Sequence, residues 1–295
     1  MKHIIFMSNI DLHFHSSYSD GKLPVSTIAD LIKEKGLKYC ALADHDSVAG
    51  IRELQRYLDG TGITLIPATE LTALYNDTEI HLLAYDFDIS VIEKVLQERN
   101  DIVRNKKIEE MKKTILLLKE HGIEVDSPTV PEEKKPVGYT LSVAICNNEK
   151  NQDLFMKKYG KRLNRDDIYY EYQAPGKSCV VERSGVTVQW LLEKLRGTVK
   201  DFIIAHPFVS PSVAIKPLNE KSIVALLSLG VDGLEVYHNG TSDEQVKWLE
   251  QIVQDKNLRY TGGSDSHGKK EDLPLGYYSL NKTVPVFRLT NFSSK

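Results

Sequence analysis

The 295-residue chain has only three cysteines and a net charge of only -3, and it has no uninterrupted apolar run near the ~18 residues of a membrane span. Cys40, Cys146 and Cys179 are odd in number, widely spaced and free of any Cys-x-x-Cys pair. That excludes a disulfide framework and a thiolate zinc site, and it suits reduced thiols in a cytoplasmic protein. The short apolar start Ile4-Ile5-Phe6-Met7 runs at once into Asp11 and His13, so neither a signal peptide nor a membrane anchor is expected. With 38 Lys plus Arg against 41 Asp plus Glu, no basic field argues for duplex DNA or an anionic membrane surface as partner. A composition of 41% hydrophobic and 27% charged residues excludes disorder and a fibre. The length leaves room for one large domain or about two ordinary ones.

What is present is an alternation. Short β-rich runs fall at Ile4 to Leu12, Tyr39 to Ala43, Thr64 to Leu71, Glu79 to Tyr85, Phe202 to Ala205, Gly233 to Tyr237 and Arg259 to Thr261. Helical patterns lie between them at Val25 to Lys35, Ser47 to Leu58, Val186 to Leu195, Glu220 to Leu227 and Asp243 to Val253, with Gly36 and Gly230 placed as C-terminal stops. Strands alternating with helices predict an α/β fold with a parallel sheet covered by helices. The alternation breaks once. Residues 89–179 show a long helical pattern, a segment with Pro128, Pro131 and Pro136, and two further helical stretches. They are expected to form an inserted, mostly helical cap domain, with 1–88 and 180–295 forming the main domain.

Polar residues fall where the runs end. Asp11-Leu12-His13-Phe14-His15 closes the first run, Asp44-His45-Asp46 the second and Glu70 the third; His81 lies in the fourth. His206 closes the fifth as Ala205-His206-Pro207, and Asp265-Ser266-His267 follows the seventh. Residues two apart on an extended segment point the same way, so His13 with His15, and Asp265 with His267, can each reach a common point. If the C-terminal ends of parallel strands converge on one face, six of the nine histidines meet there. Imidazole and carboxylate donors without thiolate suit Zn, Mn or Fe, and their number exceeds what one ion needs. Each position has a plainer reading: Asp46 as a helix N-cap, Glu70 as a surface carboxylate, His81 as a satisfied strand histidine, His206 as a turn residue. All would have to hold at once, and none explains why titratable residues end the runs in series.

These residues carry a resemblance to the PHP (polymerase and histidinol phosphatase) family of metal-dependent phosphoesterases. The matching stretches are Asp11 to His15 with Ser19-Asp20-Gly21, Asp44-His45-Asp46, Pro67-Ala68-Thr69-Glu70, His81, Ala205-His206-Pro207, Gly233-Leu234-Glu235-Val236-Tyr237-His238 and Gly263-Ser264-Asp265-Ser266-His267. The resemblance implies a distorted (β/α)7 TIM-like barrel. It implies two or three divalent ions (Mn, Fe or Zn): one on His13, His15, Glu70 and Asp265, a second on Glu70, His81 and His206, a third on Asp20, His45 and His267. Glu70, Asp20, His45 and His267 would be the catalytic residues, around a hydroxide held between two ions. Asp44, Asp46, Ser264 and His238 would orient imidazoles or touch substrate.

Size and insertion resemble a subgroup containing nucleoside-bisphosphate phosphatases and a 5′-to-3′ exoribonuclease. The implied activity is hydrolysis of nucleotide phosphate monoesters (nucleoside monophosphate or 3′,5′-bisphosphate). The alternatives are exoribonuclease action on short single-stranded RNA, a histidinol-phosphate-type phosphatase, and a non-enzymatic, metal-containing nucleic-acid-binding module. The subgroup's Arg-x-His-Ile/Phe-Ala segment is replaced here by Gly138-Tyr139-Thr140-Leu141-Ser142-Val143-Ala144. Lys177 and Arg183, with His238, are the expected substrate contacts. Lys157, Lys158, Lys161, Arg162 and Arg165 lie near Tyr159, Tyr169, Tyr170 and Tyr172, a mixture that single-stranded nucleic acid binding uses and that a solvated helix face also produces.

Overall fold

The computed structural model describes residues 9–125, 136–210 and 216–294. Ile4 to Ser8 of the first expected run, and Pro128 and Pro131, lie outside the described residues. The fold is mixed α/β and divides into two compact units, Met1–Gln97 with Thr187–Lys295, and Glu98–Val186.

The first unit opens with a parallel sheet of β1 (Ile10–Phe14), β2 (Tyr39–Leu42) and β3 (Thr64–Leu65), with α1 (Val25–Lys35) after β1 and α2 (Ile51–Leu58) after β2. Helix α1 buries Val25, Ile28, Ala29 and Ile32, the i, i+3, i+4, i+7 stripe of a surface helix. It stops at Gly36, whose φ of 68° suits glycine, with the Leu37 N–H returning to Ile32 O. These side chains pack on Phe14, Cys40, Leu42, Leu54 and Leu58, so the sheet is held by burial on its helix side.

The expected run Thr64 to Leu71 is broken at Ile66-Pro67, and a separate strand β4 (Ala68–Tyr75) begins after it. Proline has no N–H to give a ladder. Strand β5 (Thr78–Tyr85) then pairs antiparallel with β4, which corrects the all-parallel expectation. The cause is local: Asn76 and Asp77 form a two-residue turn with φ of 47° and 58°, the conformation that returns a strand alongside itself.

Helix α3 (Ile89–Glu120) runs through the division between the units without a break. The second unit continues with α4 (Val137–Cys146), α5 (Glu149–Tyr159), α6 (Arg165–Ile168) and a π turn at Tyr169–Gln173. Its core gathers Met111, Leu118, Leu141, Ile145, Phe155, Ile168 and Tyr172. Three of the five residues of the basic cluster pair with carboxylates within the unit. Arg162 pairs with Glu149 at 2.6 Å, Lys161 with Asp167 at 3.6 Å and Arg165 with Asp166 at 2.6 Å, while Lys158 donates to the Tyr172 hydroxyl at 3.2 Å.

The chain returns to the first unit with α7 (Val188–Leu195), β6 (Asp201–Ile204), α8 (Glu220–Ser228), β7 (Gly233–Tyr237), α9 (Asp243–Asp255) and β8 (Arg259–Gly262), then a β9 (Tyr277–Ser279) and β10 (Lys282–Thr283) hairpin. The larger sheet has the order β4-β5-β6-β7-β8; β5 is antiparallel to both neighbours and β6, β7 and β8 are parallel. Bridges Phe14 with Ser266 and His45 with Glu70 join the two sheets just where the histidines and carboxylates leave their strands. No helix among the described residues is long and apolar enough to cross a membrane.

Candidate metal centre

Six of the nine expected donors are placed by strand ladders and the bridges beside them. His13 and His15 alternate around Phe14 at the end of β1, and the Asp265 N–H donates to His13 O while the His15 N–H donates to Ser266 O. That register lays Asp265 beside the two histidines. Gly263 permits it: a Cβ there would lie 2.5 Å from the His13 backbone nitrogen. Glu70 and His81 are diagonal neighbours in the β4–β5 ladder, since His81 opposes Thr72, and both therefore face the same side. His45 is carried to Glu70 by its parallel bridge, with the Asp46 N–H donating to Glu70 O.

The result is a set of overlapping donor groups, three of which are built from the expected ligands, while a further cluster of His13, Glu235 and His238 lies behind them. In the first, His13 Nε2 lies 3.2 Å from His15 Nε2, 3.2 Å from Glu70 Oε2 and 3.4 Å from Asp265 Oδ1, and His15 Nε2 lies 3.3 Å from Glu70 Oε2 and 3.0 Å from Asp265 Oδ1. Ligands about 2.0–2.1 Å from a tetrahedral ion would sit about 3.3–3.4 Å from one another, so these four atoms have the spacing of a coordination shell. In the second, Glu70 Oε1 is 2.9 Å from both His81 Nδ1 and His206 Nε2, which are 3.2 Å apart. The third gathers Asp20, His45 and His267 with His15; His267 Nε2 is 3.2 Å from Asp20 Oδ2. His45 faces two groups, with Nδ1 3.4 Å from Glu70 Oε2 and Nε2 4.0 Å from Asp20 Oδ1.

Electrostatics point the same way. Burial alone would push the His15 and His81 imidazoles down, but the carboxylates against them raise His15 to about 9 and His81 to about 10, Asp265 and Glu70 acting on the first and Glu70 and Glu79 on the second. Burial would raise the Glu70 carboxyl; His45, His13 and His81 instead hold it well below the usual carboxylate range. A cluster with this appetite for positive charge, in which ring nitrogens face one another, fits divalent cations. Burial grades outward. The His13 and Glu70 side chains are 0% and 1% exposed, His267 15%, His45 26% and Asp20 51%, so the third group is the open lip.

All nine residues expected as ligands are brought together in the first unit. The PHP domain family matches residues 11–174, more than half of the chain. The chain belongs to the PHP family. Among curated relatives, it is 26% identical over 279 residues to a 5′-3′ exoribonuclease of Haemophilus influenzae, covering 94% of both chains. It is 23% identical over 283 residues to a 3′,5′-nucleoside bisphosphate phosphatase of Chromobacterium violaceum, covering 91% of this chain and 93% of the other. Two solved structures share the fold. One is a candidate metal-dependent phosphoesterase from Bifidobacterium adolescentis (TM-score 0.57, 24% identity, 90% of this chain and 91% of that one). The other is an amidohydrolase from Chromobacterium violaceum with bound sulfate and no metal (TM-score 0.58, 20% identity, 90% of each).

Several residues around this PHP centre have roles that the sequence pattern left open. Asp44 does not turn to an imidazole: its oxygens accept from the Ser16 N–H, the Ser16 hydroxyl and the Ser19 hydroxyl, shaping the loop that carries Asp20. Asp46 has a φ of 48° and accepts the Thr72 N–H, while α2 is preceded by Gly50, so Asp46 is no N-cap. The Ser264 N–H donates to Asp11, whose carboxyl burial lifts to about 6, with the N–H groups of Gly276, Ser264 and His13 opposing the rise. His238, expected as a substrate contact, is 3% exposed and sets Nε2 3.2 Å from Asp265 Oδ2. Lys177 and Arg183 belong to the second unit, where Lys177 lies 3.8 Å from Glu171. Glu235 lies in one of the stretches that carry the family resemblance, but the sequence pattern gave it no role of its own. Its signal was a carboxylate inside an apolar run; in the structure it is fully buried and within 2.9 Å of His13 Nδ1.

Proposed function

We propose that the protein is a metal-dependent phosphoesterase that removes phosphate from nucleotides, with nucleoside 3′,5′-bisphosphates and monophosphates as the substrate class. The observation that carries this reading is Glu70, which turns one oxygen toward His13, His15 and Asp265 and the other toward His81 and His206. A carboxylate set between two donor groups is the arrangement that spaces paired ions for in-line displacement at phosphorus. Ions held there, Mn, Fe or Zn, would supply Lewis-acid stabilisation of phosphoryl charge and a water of lowered pKa. The chain's own part is to hold the donors rigid and to leave one side open. Asp20, His45 and His267, the exposed lip, are where a phosphoryl group would meet the centre, and no side-chain nucleophile is invoked.

The fold that goes with this reading is a distorted (β/α)7 barrel, favoured by the Phe14–Ser266 bridge beside edge strands β1 and β8 and by the His45–Glu70 bridge from the segment after β2 to edge strand β4. Reduced thiols at Cys40, Cys146 and Cys179 suit a cytoplasmic location. The Chromobacterium violaceum relative supports the bisphosphate assignment and the Haemophilus influenzae relative supports a second one, release of nucleotides from the 5′ end of short RNA.

The test is a panel assayed with added Mn²⁺: nucleoside 5′-monophosphates, a 3′,5′-bisphosphate, histidinol phosphate and a short 5′-phosphorylated RNA. Phosphate release fastest from the bisphosphate is the expected result. Mononucleotides appearing from RNA with a higher kcat/KM would select the second reading, and a preference for histidinol phosphate would overturn both.

A further inference from the structure

We propose that Glu235 is a positioning residue for the metal centre, one buried carboxylate that sets a donor from the first group and a donor from the second at the same time. This rests on the metal-centre reading above and extends it to a residue that is not itself among the nine ligands.

Strand β7 is buried along its whole length, and Glu235 is 0% exposed within it. Its two oxygens have different partners. Oε1 lies 2.9 Å from His13 Nδ1, and Oε2 accepts the backbone N–H of His206 at 2.7 Å. A carboxylate accepts and does not donate, so His13 must carry a proton on Nδ1. The other ring nitrogen, Nε2, is then free to present its lone pair to the space that it shares with His15, Glu70 and Asp265. At His206 the backbone φ is 29°, in the left-handed region. The bond from its N–H to Glu235 holds that turn, and the turn delivers His206 Nε2 to within 2.9 Å of Glu70 Oε1. Glu235 thus fixes the ring orientation of His13 through the side chain and the placement of His206 through the main chain. These two histidines face opposite oxygens of Glu70.

The substitution Glu235→Gln separates this role from mere space filling, because the amide has nearly the same shape and only one accepting atom. If its oxygen takes the His206 N–H, its NH₂ faces His13 Nδ1 and drives the ring proton onto Nε2, the atom needed for ligation. If its oxygen takes His13 instead, its NH₂ opposes the His206 N–H and the turn is displaced. Either arrangement weakens one of the two groups.

The experiment is calorimetric titration of metal-free wild type, E235Q and E235D with Mn²⁺, alongside far-UV circular dichroism to follow folding. Wild type is expected to bind tightly, and E235Q to keep its fold while binding about 10–100-fold more weakly, the usual loss when an outer partner of a histidine ligand is removed. E235D, shorter by one methylene, is expected to fall between them. E235Q that folds and binds like wild type would overturn the role of Glu235 alone, whereas wild type that takes up no Mn²⁺ would overturn the metal-centre reading. Should E235Q fail to fold, ¹⁵N-histidine NMR of the Zn²⁺-loaded wild type decides. A protonated Nδ1 and a metal-bound Nε2 at His13 agree with the proposal, and the opposite tautomer contradicts it.

Discussion

Asp265 Oδ1 lies 3.0 Å from His15 Nε2 although the two residues are 250 positions apart. The contact is set by the backbone, because the His15 N–H donates to Ser266 O at the seam between β1 and the segment after β8. The donor cluster and the joining of the two sheets are therefore one structural event, and damage to either is expected to appear in both.

Glu70→Gln is expected to lower kcat/KM by more than the about 10–100-fold lost when an outer partner of a ligand is removed, because two donor groups share its oxygens. Asp20→Asn, at the open lip and facing one donor group only, should cost less than Glu70→Gln. Steady-state kinetics of the Mn²⁺-reconstituted variants measure the difference. Equal turnover of both variants with metals bound would contradict the assignment.

Stripping the metal with a chelator should lower the melting temperature. Ligand at 100 times its Kd stabilises the native state by about 2.7 kcal/mol, which for a chain of this size corresponds to about 5–10 °C. Differential scanning calorimetry with and without restored Mn²⁺ checks this, and an unchanged Tm would count against a site that must draw these groups together.

The Asp11→Ala variant tests the frame under the centre. Asp11 is fully buried and accepts the N–H groups of His13, Ser264 and Gly276, tying β1 to the segment that carries Asp265. Removing it orphans three donors, and a loss of about 3–5 kcal/mol is expected in urea unfolding. A loss below about 1 kcal/mol would mean that water replaces it freely.

Much of this was legible in the sequence because period and position coincide. His13 with His15, and Asp265 with His267, are two apart at strand ends, so extended geometry alone aims each pair together. Helix α1 ran from Val25 to Lys35 as expected because its apolar spacing and Gly36 agreed. What was not legible depended on partners far along the chain or on a short turn. The reversal of β5 rests on two residues, Asn76 and Asp77, whose residue types tolerate the positive φ seen here and form a hairpin signal easily passed over between two apolar runs. The work of Glu235 depends on His13, 222 residues earlier, and no local pattern announces such a pairing.

Metal analysis of the Mn²⁺-reconstituted, desalted wild-type protein is the most direct measurement of all. Inductively coupled plasma mass spectrometry should return two or three ions per chain, one for each complete donor group built on Glu70 and the third for the lip of Asp20, His45 and His267. Less than one ion per chain would contradict the metal centre and the phosphoesterase chemistry built on it.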